Sequence, residues 1–410
     1  MKPAQTRIFW ILLIFGMGLR LIWALMVPVE PISDAHAYDV FARNIVAYGV
    51  YGWTPDEPSA YWPVGTSAIV AAGYALTGGS YWSVVFFNLI AGGAIIVLTQ
   101  RLAMRWFGGV AGLAAMAIVA FWPNLIMFTT TIASELFFLA FCLGGLFFWK
   151  RPDGDRPFVD LVLCGLLWGA ACYVRPVILL APVALALVDV PRGVLPFARS
   201  MVRAGSVIVL IVATVAPWSE RNRQVLGERE LVSTNFGANL WMGNNPDSDG
   251  GYKPLPPEVR EMSEIERGEY LKEKAVTYMA SDPWGTAKRS LKKAVLLHKN
   301  ETIGVVWNQQ AIERLYGAKT VYLLKLIASG YWYLVLTGAL CGLFIVGRRE
   351  GYVSAIFHPA TALLGYFTAV HAMIVVSDRY HMPSVPFLAV FAAVTVGSIV
   401  VQLGSTANRK

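Results

Sequence analysis

Charge is scarce in this sequence. Asp, Glu, Lys and Arg make up only 15% of its 410 residues, against 56% hydrophobic residues and a mean hydropathy of +0.54. Soluble domains carry about 25% charged residues, so a water-soluble globular protein is excluded. Cysteine is also scarce. Cys142, Cys164, Cys172 and Cys341 each fall inside or at the edge of an apolar run, which supports neither a disulfide framework nor a CxxC metal site. Repeats of roughly 20–50 residues and low-complexity tracts are lacking too.

What the chain does have is long apolar runs. Ten are long enough to be considered as spans: 8–27, 83–100, 109–128, 132–149, 158–174, 177–190, 203–218, 321–346, 353–376 and 384–403, the sixth being very short. A bilayer core needs roughly 17–25 such residues per helix. The expectation is an all-α polytopic membrane protein of about ten transmembrane helices. Residues 1–218 form an N-terminal transmembrane core with a first outer loop at 28–82. Residues 219–320 form a small mixed extracytoplasmic domain, and 321–410 carry the C-terminal transmembrane helices. The first run lacks a small-residue cleavage site, so it is expected to be retained, with the mature chain starting at Met1.

Cationic residues near helix ends stay on the cytoplasmic side. With ten spans, one side collects fourteen of them: Lys2, Arg7, Arg101, Arg105, Lys150, Arg151, Arg156, Arg192, Arg199, Arg203, Arg348, Arg349, Arg409 and Lys410. The other side's short segments hold three, Arg43, Arg175 and Arg379. Both termini are therefore expected in the cytoplasm, and 28–82 and 219–320 outside. Arg175, in "CYVRPVILL", and Arg379, in "VVSDRYHMP", admit two readings. Each caps a helix C-terminus, worth about 0.3–1 kcal/mol, or the two form an anion site, since guanidinium is always charged and shaped for phosphate.

Seven carboxylates accompany them outside the larger domain: Glu30, Asp34, Asp39, Asp56, Glu57, Glu135 and Asp378. Asp34 precedes a run in which Ala37, Phe41, Ile45 and Val46 recur at helical spacing, so it reads as the N-cap of a short amphipathic helix. His36, Asp39 and Arg43 would be that helix's polar face on the membrane surface. Glu135 sits just inside the fourth run, where an ionisable group is costly and marks a functional site by default. Arg20, inside the first run, pairs with Glu135 or another outer carboxylate, or snorkels to the surface.

Two stretches of the 219–320 segment stand out. In "SDPWGTAKRSLKKAVLLHKNE", Asp282 and Pro283 start a helix with an apolar stripe of Trp284, Ala287, Leu291, Ala294, Val295 and Leu297, flanked by Lys288, Arg289, Lys292 and Lys293. It lies on the outer leaflet or packs on its own domain; His298 and Lys299 at its end are candidate donor contacts. "VSTNFGANLWMGNNPDSDGGY" reads as turns between short extended pieces.

An Asp opening the first outer loop, a following Tyr, and "YWPVGTSAIVAAGYALTGGSYWSVVFFNLIAGGAIIVLTQRLAMRWFG", "PNLIMFTTTIASELFF", "YVRP", "APWSERN", "NFGANLWMGNNPDSDGGY" and "SDRYHMPSVPF" occur in that order along nearly the whole chain. Together they resemble the GT-C superfamily of membrane glycosyltransferases, in the branch of the protein O-mannosyltransferases and the lipid A aminoarabinose transferase. The part after the last run is shorter than in the larger members.

The resemblance implies the GT-C fold and transfer of a sugar from a polyprenyl-phosphate carrier, such as undecaprenyl phosphate, on the outer face of the plasma membrane. It places the catalytic carboxylate at Asp34 with Glu135 as the second acidic residue, and the donor phosphate at Arg175, Arg379 and Tyr38, with Lys299 added from the basic helix. Asn244 and Asn245, with His36 and Asp378, are candidate sugar or acceptor contacts. It implies no required metal, although some relatives use a divalent ion; Asp34, His36 and Asp39 do not converge on one helix face as a metal site would. A neutralised phosphate is a competent leaving group, and one carboxylate accepting the acceptor's proton predicts inversion at the anomeric carbon. Other classes remain in view: a ligase or polymerase with a diphosphate-linked donor, and a polyprenyl-lipid transporter or flippase. Transporters usually hold their ionisable groups near the midplane, within internal repeats.

Overall fold

The computed structural model describes residues 2–149 and 156–407. Met1 and the expected cytoplasmic cations Lys150, Arg151, Arg409 and Lys410 lie outside the described residues.

Helix α1 (Pro3–Met26) starts on a proline at N1, where a missing N–H costs nothing. At 1.5 Å per residue it is roughly 36 Å long, enough for a hydrocarbon core of roughly 30 Å. Ile14, Phe15 and Leu25 on it are about two-thirds exposed, which suits a lipid-facing surface. The segment after it, expected to be the first outer loop, forms α2 (Asp34–Tyr48), a hairpin of β1 (Gly52–Thr54) and β2 (Glu57–Pro58), and α3 (Val64–Thr77). A Cβ on Gly65 would stand 2.7 Å from the Tyr173 carbonyl oxygen. Only glycine lets α3 lie so close to the chain that leads into Arg175.

Helix α4 (Trp82–Ala120) is 39 residues long, twice what one crossing needs, and breaks at Gly108 with φ +85°. Its position along α1 shows the reversal: Ile96 and Ala120 both meet Gly16, while Gly109 meets Gln5. The second and third expected spans are thus two arms of one helical hairpin, the second arm ending at Ala120 and not at 128.

The chain next forms α5 (Pro123–Met127), a 3-10 turn (Phe128–Thr130) and α6 (Glu135–Trp149), bent by 120° between them. Non-helical backbone at membrane depth needs internal partners. Asn88 supplies them, its amide donating to the carbonyls of Phe128 at 3.2 Å, Thr129 at 3.1 Å and Thr131 at 3.0 Å. The bend sets Glu135 at the first turn of α6, where the helix dipole favours a negative charge.

After α7 (Pro157–Val174), Arg175 takes an extended conformation, followed by a 3-10 turn (Pro176–Ile178), α8 (Ala181–Asp189) and the long α9 (Phe197–Leu226). The 219–320 segment holds the end of α9, then α10 (Phe236–Gly243), α11 (Glu264–Ser281), α12 (Pro283–Leu297), α13 (Ile303–Trp307) and α14 (Gln309–Tyr316). It is helical, not mixed; among the described residues strands occur only in the first loop. The apolar "FGANLWMG" folds as α10, burying Ala238, Leu240 and Met242, where extended pieces were expected. The chain closes with α15 (Ala318–Glu350), α16 (Tyr352–Ile356), α17 (Pro359–Met373), a 3-10 turn (Asp378–Ser384) and α18 (Val385–Ala407), which packs between α4 and α15.

The ten apolar runs are therefore all largely helical, but among the described residues six helices are long and apolar enough to cross a membrane, or seven counting the bent α5–α6 pair as one. The runs at 177–190 and 353–376 yield only short helices, α8, α16 and α17. The protein is an integral, multi-pass membrane protein.

Candidate active site

The site begins where α2 does. Asp34 is not the N-cap but the first residue of α2; Ser33 precedes it with φ +51°, a left-handed conformation rare outside glycine. Asp34 Oδ2 accepts a hydrogen bond from Arg379 Nη2 at 2.5 Å, and its Oδ1 accepts one from Trp62 Nε1 at 3.4 Å. Arg379 is the second residue of the 3-10 turn between α17 and α18. Its other terminal nitrogen stands 3.9 Å from Glu135 Oε1, and that same oxygen accepts from Arg175 Nη2. Arg175 Nε donates to Ser134 Oγ at 2.8 Å. Asp34, Arg379, Glu135 and Arg175 thus form one chain of alternating charge, drawn from four separate segments.

Aromatic rings back the guanidinium groups. Tyr380 lies 5.1 Å from Arg379 and 5.5 Å from Arg175, and Trp307 lies 4.9 Å from Arg379. Such faces hold cations through the ring quadrupole, and the Tyr380 hydroxyl also accepts from Arg379 Nη2 at 3.4 Å. The two carboxylates differ in access: the Asp34 side chain is 24% exposed and that of Glu135 is 0%. Tyr38, one turn beyond Asp34, is buried. Burial, and then the charge of Asp34, push its phenol above the ordinary range, so it stays protonated and able to donate.

The other expected residues lie elsewhere. His36 is exposed, 6.4 Å from the Trp53 ring. Lys299 is exposed, its carbonyl accepting from Tyr333. Asn244 is fully buried; its amide donates to the carbonyls of Leu240, Met373 and Ile374, and Asn245 caps α10 through the Trp241 carbonyl. Both fasten α10 and do not face a cleft. Asp378 accepts from the Thr302 N–H at 3.1 Å and its hydroxyl at 3.0 Å. Asp39 is no surface residue: it is buried, accepting from Tyr74, Tyr81 and Arg43 on the far side of α2.

Arg20 takes neither expected route. It is fully buried and donates to the carbonyls of Ala120 at 2.8 Å, Val119 at 3.2 Å and Gly16 at 2.9 Å. The last carbonyls of α4 have no partner within their own helix and sit at its negative end, so a cation satisfies them as well as a carboxylate would satisfy the cation. Lys293 does not flank a stripe but is buried, donating to the carbonyls of Gly243 at 3.0 Å and Ile374 at 2.9 Å and to Asn244 Oδ1 at 2.9 Å. The apolar residues Trp284, Leu291 and Val295 of α12 point outward.

Sequence reasoning missed Ser134, Trp307 and Tyr380 as parts of the site. Ser134 and Tyr380 adjoin residues it had singled out, which was the available signal; Trp307 had none. Among the described residues, no three His, Cys, Asp or Glu side chains are grouped as a metal site would need.

The helical membrane fold is similar to that of solved membrane glycosyltransferases. Residues 61–218 match the family model of dolichyl-phosphate-mannose-protein mannosyltransferases. Among solved structures, the chain superposes on the oligosaccharyltransferase AglB of Archaeoglobus fulgidus, in complex with an inhibitory peptide and a dolichol-phosphate. The TM-score is 0.58 at 10% identity, covering 99% of this chain and 51% of that one. It also superposes on ArnT of Cupriavidus metallidurans bound to undecaprenyl phosphate, with a TM-score of 0.59 at 16% identity, covering 97% and 61%. The chain thus spans about half to three-fifths of the length of these structures. No curated protein matches its sequence.

Proposed function

We propose that the protein is an inverting glycosyltransferase that moves a monosaccharide from a polyprenyl-phosphate donor to an extracytoplasmic acceptor. The observation that carries this reading is the single contact chain Asp34–Arg379–Glu135–Arg175, with one carboxylate reachable from water. The dolichol-phosphate of the AglB complex and the undecaprenyl phosphate of the ArnT complex support a polyprenyl phosphate as the carrier. The surplus of cations on the other side of the membrane supports cytoplasmic termini and an outward-facing site.

Arg379 and Arg175 hold the donor phosphate and stabilise the charge it gains on leaving. The bond from anomeric carbon to phosphate oxygen breaks with its electron pair going to phosphate, while the acceptor oxygen bonds to that carbon from the opposite face. Asp34 takes the acceptor's proton. Glu135, fully buried and bonded to Arg175, orients the guanidinium groups and does not touch the acceptor. Asp34 and the phosphate compete for Arg379, so donor binding frees the carboxylate for the hydroxyl. Tyr38 donates to phosphate or sugar.

The test is a panel of polyprenyl-phosphate sugars offered to purified protein in lipid nanodiscs. Saturable binding or slow hydrolysis is expected for at least one, and Arg175→Ala or Arg379→Ala should weaken binding roughly ten- to hundredfold, the worth of one hydrogen bond to a charged group. No response across the panel favours the diphosphate-linked or transport readings; unchanged affinity in both variants removes the phosphate site.

A further inference from the structure

We infer that Glu301 and His381 are positioning residues that set the Arg379 guanidinium for the donor phosphate, an inference that rests on the phosphate role proposed above. In a 3-10 turn, residues three apart share a face. Asp378 and His381 therefore point one way from the turn that carries Arg379, while Arg379 itself points toward Asp34. The Asp378–His381 face is fastened to residues 297–302. Asp378 accepts from Thr302, His381 Nδ1 bonds the Leu297 carbonyl at 2.7 Å, and His381 Nε2 bonds Glu301 Oε2. A carbonyl oxygen only accepts, so Nδ1 carries a proton, and Nε2 shares a second proton with the carboxylate.

Glu301 reaches further. Its Oε1 accepts from Trp122 Nε1 at 2.7 Å. Trp122 begins the bend that delivers Ser134 and Glu135, so one buried carboxylate joins the turn bearing Arg379 to the bend bearing Glu135. Trp332 stacks on His381 at 4.2 Å between ring centroids and prevents the imidazole from tilting away. Glu301 and His381 are both 0% exposed. They cannot meet a substrate, and a buried carboxylate without these donors would be costly, so the pair acts through the geometry it imposes.

The experiment is a double-mutant cycle read by undecaprenyl phosphate binding in nanodiscs. Glu301→Ala should weaken binding about tenfold, within the usual range for residues acting through one another. Glu301→Gln, which keeps an acceptor for Trp122 and an amide for His381, should restore most of it. In the Arg379→Ala background, Glu301→Ala should cost less than about twofold. An equal loss in both backgrounds, or no loss in either, overturns the inference while leaving the donor reading standing. No binding by the native chain removes both. Should Glu301→Ala not yield folded protein, His381→Gln runs the same cycle with the same expected non-additivity.

Discussion

Replacing Asp34 by asparagine should tighten donor binding while slowing transfer by orders of magnitude. The ion pair with Arg379 is short, 2.5 Å, and its side chains are 24% and 15% exposed. Charge centres about 4 Å apart at an effective dielectric of roughly 20 attract by about 4 kcal/mol. Partial exposure and lost side-chain freedom reduce this to about 1–2 kcal/mol, between a surface pair and a fully buried one. A phosphate that must displace Asp34 works against that amount, so Asp34→Asn should bind undecaprenyl phosphate roughly five- to thirtyfold more tightly. Losing a general base should slow transfer by about two to four orders of magnitude. Titration in nanodiscs measures the first effect and single-turnover transfer the second. Weaker binding by the variant would refute the competition between carboxylate and phosphate; turnover within about tenfold of the native rate would refute Asp34 as the base.

Other consequences concern the frame. Arg20→Met strips the Ala120 carbonyl at the end of α4 of its donor, while Val119 keeps the Trp122 N–H; the loss is about 1–3 kcal/mol, partly offset by not burying a charge. Melting in detergent should fall by a few degrees, and an unchanged or higher midpoint would contradict the capping role. Burial, and then Arg289, lower the Lys293 ammonium from 10.5 to about 8. The unfolded chain therefore holds more protons between about pH 8 and 10.5, and stability should rise with pH across that window. Lys293→Gln should lack this increment, and identical pH profiles would exclude it. If α12 lies on the outer leaflet, a spin label at Leu291→Cys in a Cys341→Ser background should be relaxed by dissolved oxygen more than by a water-soluble nickel chelate; the reverse ordering places the helix in water.

The four charges at the centre of the site were legible because each breaks a rule of membrane sequences. Arg175 and Arg379 break the ten-span charge pattern, Glu135 stands inside an apolar run, and Asp34 opens a helix outside one. Such exceptions are costly, so they mark positions where something offsets the cost. What offsets it is less legible. Arg20 looked as though it needed a carboxylate, yet its partners are main-chain oxygens present in every sequence and exposed only by where α4 happens to end. Lys293 belongs to a basic helix face by spacing, and only the packing of α12 on α17 makes it a buried donor. Glu301 and His381 lie 80 positions apart, and neither carries a local signal. The helical character of each apolar run was plain from composition, whereas how many of them cross depends on breaks such as Gly108, whose φ +85° is not written in hydropathy.

The even number of opposed charges in the cluster has one more implication. A lipid phosphate linked to a sugar is a diester with one negative charge; once the sugar has gone it is a monoester approaching two. In the same step Asp34 exchanges its charge for a proton. With Arg175, Arg379 and Glu135 unchanged, the total charge inside the site is the same before and after transfer, so the reaction draws in no counterion from a low-dielectric surrounding. Resetting the site then means shedding the spent carrier and one proton, and the partly exposed edge of Asp34 gives that proton a way to water.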